Sequence, residues 1–489
     1  MSEWVTTCNE RPEWLKRQAP DTEPEKWHLT IVWSGAEPER IGESVMLEEQ
    51  AGNFILGRGD ATAADPTERL QFVRSRPTGI VTTPPLRGGG LSRRQCRVSA
   101  TRNGVTFENI GRAQLMVQGK LSNHALLRAG DLVTIQDQLI LRCSRQPALP
   151  RLHYFNPKLA LQFGLADSFG IVGEHHVTWE LREQLAFCAA AKKHVLLLGE
   201  SGSGKELAAR ALHRLSSRAT KPMITRNAAT FPASLIDAEL FGNAPDYPTS
   251  GTPLRQGMIG QVDGSTLFLD ELAELPLELQ AHLLRVLDQG GEYQRLGDPV
   301  VRSSEFCLIG ATNHDPTELR TDILGRLALQ VQLPSLADRV EDIPLLVRHL
   351  LLKAADTLPD VRNRLFVDSA QGPQPRIDPL LMQALLQHRY TNNVRELEAL
   401  LWKATANSPR EFLELSQALR GEFVHAPPSI GPLVCGPAAA AEPTAEELTS
   451  ALSRQGGNVA KTASALGLKS RYALYRLMRK HGISVEQAR

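Results

Sequence analysis

At 489 residues the chain exceeds what one hydrophobic core organises, and it predicts about three domains. Its 55 lysines and arginines nearly cancel 54 aspartates and glutamates, which excludes a chain-wide polycation and confines any nucleic-acid surface to one region. Cys8, Cys96, Cys143, Cys188, Cys307 and Cys435 form no C-x-x-C pair, which excludes a disulfide framework and zinc, and no apolar run approaches the ~18 residues of a membrane span. With no basic-then-apolar leader at the start, the expectation is a cytoplasmic protein without a membrane partner.

Residues 27–145 alternate short β-type runs (HLTIVW, NFILGR, CRVSA, LVTIQ, LILRC) with Gly, Pro and Asp, which predicts an all-β sandwich. Within it stand Phe54-Ile55-Leu56-Gly57-Arg58, then Leu91-Ser92-Arg93-Arg94-Gln95, then Phe107-Glu108-Asn109. Taken singly, a Gly-Arg and a Ser-Arg are ordinary turn residues. In this order they resemble a forkhead-associated (FHA) domain, which implies a phosphothreonine protein as partner. The resemblance assigns Arg58, Ser92, Arg93 and Asn109 to phosphopeptide binding through charge-assisted hydrogen bonds. Gln95 stands where that family usually has histidine, its Asn-Gly pair is not evident in NIGRAQLMVQG, and an insertion from Asp60 to Gly90 separates the two arginine motifs.

Residues 146–165 carry three prolines and read as a linker. From 166 to 335 apolar β-like runs (HVLLLG, STLFLD, FCLIGAT) alternate with helical patterns, the signature of a parallel sheet flanked by helices. The first run enters Gly199-Glu200-Ser201-Gly202-Ser203-Gly204-Lys205-Glu206, a P-loop spacing followed by a helix. Backbone N–H groups of such a loop cradle phosphate and the lysine neutralises it. Glu206 occupies the place where the general motif has Ser or Thr. The second run ends in Asp270-Glu271, an acid for magnesium and a neighbour able to polarise water, or alternatively no more than a helix start. The third ends at Asn313, able to sense a γ-phosphate. Residues 336–424 are Leu-rich at helical spacing and predict a helical lid.

In order, GESGSGKE, AELFG, DGSTLFLDELAELP, IGATN, LRTDILGRL, VEDIPLL and NNVRELE resemble the AAA+ module of sigma-54-dependent transcriptional activators over about half the chain. The resemblance implies an ATPase using ATP and Mg2+, with Lys205 on phosphate, Asp270 at the metal and Glu271 as base. It makes Asn227 the residue holding that glutamate, Asn313 the first sensor and Arg395 the second. Arg320 and Arg326 become fingers acting on a neighbouring subunit, so a homo-oligomeric, commonly hexameric, ring is implied, with sigma-54 RNA polymerase holoenzyme as partner. The pattern fails in one place. The family's Gly-Ala-Phe-Thr-Gly-Ala loop, which contacts sigma-54, aligns with Asp246-Tyr247-Pro248-Thr249-Ser250-Gly251, and only Thr249 coincides.

After a linker at 425–444, residues 445–489 are locally basic and read as two helices about Gly467, a helix-turn-helix. This segment resembles the Fis-type DNA-binding end of the same activators, which implies contact with an upstream DNA site by Lys469, Ser470, Arg471, Tyr472, Tyr475, Arg476 and Lys480. The fold class expected is therefore multidomain: an all-β FHA-like sandwich, an α/β P-loop ATPase with helical lid, and an all-α helix-turn-helix. Two functions remain open on sequence: an ATP-driven activator of sigma-54 polymerase, or a DNA-binding AAA+ regulator or phosphopeptide scaffold that never touches sigma-54.

Overall fold

The computed structural model describes residues 25–423, apart from 50–51, 61–67, 161, 232–234, 289, 370–371 and 409, together with Ala445–Arg454 and the single residues Thr462, Leu474 and Met478. The N-terminal part is two antiparallel sheets, one of eight strands and one of four, packed face to face. At the centre of the larger sheet β1 (Lys26–Ser34) pairs with β3 (Leu139–Gln146), which pairs with β2 (Leu132–Ile135). The smaller sheet shows the alternation of a half-buried strand. In Cys96–Thr101, Cys96, Val98 and Ala100 point inward while Arg97 and Ser99 are half-exposed. Within the inserted segment Val73–Arg76 and Gly79–Thr82 form a hairpin that extends the eight-stranded sheet.

β1 does not alternate, because both faces of its sheet are covered. Leu29 and Ile31 face the sandwich core. Past a register shift between Ile31 and Trp33, the side chains of Val32 and Trp33 join Leu132 and Ile140 in the core of the helical domain, among Leu336, Ile343 and Leu381. Polar bonds cross the same boundary: Trp33 Nε1 donates to Ile377 O (2.9 Å), Gln383 Nε2 to Thr134 Oγ1 (2.6 Å), and Arg142 Nε to Glu341 (3.1 Å). Below them Arg76 Nε reaches Glu174 at 3.1 Å.

The segment 146–165 runs along the α/β domain instead of spanning free space. Phe155 and Ala160 pack with Trp179 and Ala186, and the Glu183 carboxylate accepts the backbone N–H groups of His153, Tyr154 and Phe155. The central domain is a five-stranded parallel sheet in the order β5 (Ile224–Asn227), β6 (Thr266–Asp270), β7 (Cys307–Thr312), β4 (Val195–Leu198), β8 (Leu329–Gln332). It is flanked by helices including α1 (His176–Ala191) and α2 (Lys205–Leu215). Asp342 ties α1 to the helical domain by accepting from Glu174 N (2.8 Å), His175 N (3.0 Å) and Thr178 Oγ1 (2.7 Å), satisfying donors that a helix start leaves unpaired. The helical domain is built on α3 (Ile343–Thr357), α4 (Pro379–Gln387) and α5 (Asn393–Ala406). Among the described residues no helix is long and apolar enough to cross a membrane.

Candidate nucleotide site

β4 is an all-apolar strand whose end releases the chain into a glycine turn, and the turn opens α2. Gly202 (φ +73°) needs glycine twice over, since a Cβ there would lie 2.1 Å from Asn392 O. Gly204 (φ +104°) then delivers Lys205 as the first residue of α2, where helix N–H groups face the loop. Small buried residues on α2, Ala208, Ala209 and Ala211, let it lie close on the sheet.

Parallel register brings the other strand ends to the same edge. Asn227 is opposite Asp270, and Leu198, just before the glycine turn, is opposite Thr312, just before Asn313. The Lys205 ammonium is buried and donates to Gly199 O (2.8 Å) and Glu200 O (3.4 Å). Burial lowers its pKa, while the Glu271 and Asp270 carboxylates nearby work in the opposite direction. Glu271 sits at φ +52° in the left-handed region, with its Oε2 buried and without a hydrogen-bond partner. The Ser203 hydroxyl in the loop is likewise buried and unpartnered. Two orphaned polar atoms beside a buried ammonium suit a polar ligand. Among the described residues no group of three or more His, Cys, Asp or Glu side chains is placed to hold a metal.

The helical domain closes this edge. Arg395 Nη1 donates to Ser201 Oγ (3.0 Å), and Val394 N to Gly202 O (3.2 Å). Asn393, which sequence reasoning did not single out, does more. It is buried, its Nδ2 donates to Glu200 Oε2 (2.8 Å) and Ser201 O (3.1 Å), and its Oδ1 accepts Leu336 N (2.8 Å). The signal available was its type: at φ +47° an asparagine is one of the few side chains tolerated. Asn227 Oδ1 caps the short helix after β5 by accepting Ala229 N (2.9 Å). Asn313 is exposed. Arg320 pairs with Asp322 (2.8 Å) and Arg326 with Asp288, both at the surface, so neither arginine enters its own chain's site. Glu206 points away and pairs with Arg210 (2.6 Å).

At one end of the β domain Gly57-Arg58 and Ser92-Arg93 lie backbone to backbone, with Arg58 N donating to Ser92 O at 3.1 Å. Arg112 N donates to Ser92 Oγ (3.0 Å), which places Arg112 at this end with the exposed Arg58, Arg93 and Arg94. Asn109 turns inward: its Nδ2 donates to Ala113 O (3.1 Å) and its Oδ1 accepts from Gln95 Nε2 (2.8 Å), so it braces the loop instead of facing a peptide. Gln95, fully buried, also binds Ala113 O (2.8 Å) and accepts Ser92 N (3.2 Å). Lys469, Ser470, Arg471, Tyr472, Tyr475, Arg476 and Lys480 lie outside the described residues, although Leu474 and Met478 between them are helical and buried.

Comparison with known proteins bears on the centre of the chain. The sigma-54 interaction domain family matches residues 171–333 and the AAA+ ATPase lid domain family matches 337–429. The transcriptional regulatory protein ZraR of Salmonella typhi is 35% identical over 326 residues, covering 64% of this chain and 69% of that protein. The DNA-binding transcriptional regulator NtrC of Azospirillum brasilense is 36% identical over 296 residues, 59% of this chain and 57% of the relative. Among solved structures, NtrX from Brucella abortus in complex with ATP aligns at 27% identity over 64% of this chain and 69% of its own, with a TM-score of 0.44. The two matched segments contain the glycine turn, the acidic strand end and the closing helices, and with the 35% identity to ZraR they show that the chain belongs to the sigma-54-dependent transcriptional activators, with an AAA+ ATPase at its centre.

Proposed function

We propose that the protein hydrolyses ATP in a homo-oligomeric, hexameric ring and uses the energy to remodel sigma-54 RNA polymerase holoenzyme at a promoter. The observation that carries this reading is Glu271, whose buried Oε2 has no partner next to the Lys205 ammonium and Asp270. In this reading Lys205 and the loop 199–206 hold the phosphates, and Asp270 would hold Mg2+, which would supply charge screening of the phosphates. Glu271 orients and deprotonates the attacking water, and Asn227, at the neighbouring strand end, restrains it until the ring is engaged. Asn313 reads the γ-phosphate from β7, and Arg395 reports nucleotide to the lid. Arg320 and Arg326 leave their surface aspartates to complete the next subunit's site. Residues 445–489 bind DNA through Lys469, Ser470, Arg471, Tyr472, Tyr475, Arg476 and Lys480. The β domain binds a phosphothreonine protein through Arg58, Ser92 and Arg93, and the protein works in the cytoplasm.

The altered loop at 246–251 favours a second reading, an ATP-hydrolysing DNA-bound regulator that does not contact sigma-54. Both are tested by ATP-dependent open-complex formation with sigma-54 polymerase on a promoter carrying the protein's own upstream site, comparing wild type with Glu271→Gln. Glu271→Gln retains ATP binding and loses hydrolysis and promoter opening. Turnover retained in Glu271→Gln overturns the site, whereas wild-type hydrolysis without promoter opening selects the second reading.

A further inference from the structure

The loop that departs from the family pattern is not loose. Asn243 is 5% exposed and the two N–H groups of its Nδ2 are shared among three carbonyls, Ala244 O (2.9 Å), Tyr247 O (3.3 Å) and Pro253 O (3.0 Å). Its backbone exchanges hydrogen bonds with Arg255 at 3.1 and 3.2 Å, which closes the loop at its base. At the tip, Asp246 N donates to Thr252 O (2.8 Å) and Asp246 Oδ1 accepts Gly251 N (2.7 Å), while Thr252 Oγ1 donates to Thr249 O (2.7 Å). Pro245, Pro248 and Pro253 each fix one backbone angle. The loop therefore carries its own hydrogen-bond network.

This closed loop is also attached to a second one. The neighbouring hairpin pairs Glu292–Tyr293 with Arg302–Ser303, and its turn is held by Asp298, which accepts Val300 N (3.0 Å) and pairs with Arg302 (2.8 Å). Leu296 in that hairpin accepts Ala244 N (2.9 Å) and donates its own N–H to Gly242 O (2.9 Å). Next to it the Tyr247 ring lies directly on Gly297. A Cβ at Gly297 would fall 2.5 Å from ring atoms Cγ and Cδ2, and Gly297 is itself at φ +72°. Only glycine leaves room for the ring there. The first loop leads into β6, which ends at Asp270 and Glu271, and the hairpin leads into β7, which ends before Asn313.

We propose that Tyr247 seated on Gly297 rivets the 243–255 loop to the 292–303 hairpin, so that the two move as one body during remodelling. Tyr247 and Gly297 are then positioning residues, and the element that meets the polymerase is the joined pair instead of a single mobile tip. The joint itself is independent of the partner's identity; its role in remodelling rests on the sigma-54 reading above.

The test uses the full-length protein with Gly297→Val, Tyr247→Ala and Tyr247→Phe. Backbone hydrogen exchange of residues 243–255 is measured first, then basal ATP turnover, then capture of sigma-54 in the presence of ADP and aluminium fluoride. Gly297→Val and Tyr247→Ala are expected to speed exchange in 243–255 by about tenfold, because the loop loses its outer attachment while keeping its internal bonds. Both keep basal turnover within about twofold and weaken sigma-54 capture by about tenfold or more, whereas Tyr247→Phe, which retains the ring, behaves as wild type. Unchanged exchange in both disruptive variants overturns the rivet. Faster exchange with undiminished capture overturns its role in positioning. If exchange accelerates but wild type captures no sigma-54, the joint stands and the sigma-54 reading falls.

Discussion

The indole N–H of Trp33, on the outer face of the β domain, donates to the Ile377 carbonyl of the ATPase lid at 2.9 Å, across a boundary buried from solvent. Around this bond Val32, Leu132 and Ile140 share the core of the lid, whose helix α5 carries the Asn393 and Arg395 contacts to the phosphate loop. The β domain is thus seated on the element that closes the nucleotide site. Trp33→Ala removes the bond and opens a cavity, at a cost of about 3–5 kcal/mol by analogy with buried tryptophans elsewhere. The expected outcome is faster proteolytic cleavage within residues 146–165 and a lower unfolding midpoint. Cleavage at the wild-type rate would mean that the two domains are held together elsewhere.

The same boundary makes stability sensitive to acid. His28 lies in it, and burial lowers its pKa from 6.5 to about 4, against the opposing pull of Glu341 and with minor lowering by His175 and Lys26. The folded pKa is below the unfolded one, so the unfolded chain takes the proton first. This contribution is fully present above the unfolded value and is lost as pH falls toward the folded value, reaching about 3 kcal/mol. Urea midpoints at about pH 7.5 and about pH 5 should differ by less in His28→Asn than in wild type. Equal pH dependence in the two proteins would remove His28 as the cause.

Gln95 holds the arginine-bearing end of the β domain in shape. Gln95→Ala deletes its bonds to Ser92 N, Asn109 and Ala113 O and leaves buried polar groups unpaired, with an expected loss of about 2–4 kcal/mol. Gln95→His, which restores the residue usual in FHA domains, should recover part of that loss in thermal melts. A Gln95→Ala melt matching wild type would show that these bonds contribute nothing net.

In the proposed reading Arg58 contacts a phosphate. Arg58→Ala is expected to weaken a phosphothreonine peptide by about tenfold or more, as for a hydrogen bond to a charged group. The same peptide carrying unmodified threonine should bind neither form. Calorimetric titration checks both, and equal binding of the two peptides to wild type would discard the phosphothreonine reading of this domain.

Much of the centre could be read in the sequence because its chemistry is local. A strand, a glycine turn and a helix are consecutive in the chain, and Asp270-Glu271 close an apolar run that has only one way to sit in a parallel sheet. The β-domain boundary was less legible. β1 reads as one more β-type run of a sandwich, and nothing local says that its second face meets helices hundreds of residues on. Gln95 looked like a departure from a motif, and only its partners reveal a buried bracing role. Asn109 shows the converse: its place in the motif pointed outward to a ligand, while the Ala113 carbonyl drew it inward.

Because the larger β sheet is covered on both faces, the N-terminal domain cannot be exchanged like a cassette. A different domain joined at the same point would leave Leu336, Ile343 and Leu381 of the lid without Val32, Trp33, Leu132 and Ile140. Any replacement inherited by recombination would have to bring a matching apolar face, so the β domain and the lid of this protein are bound to diversify together.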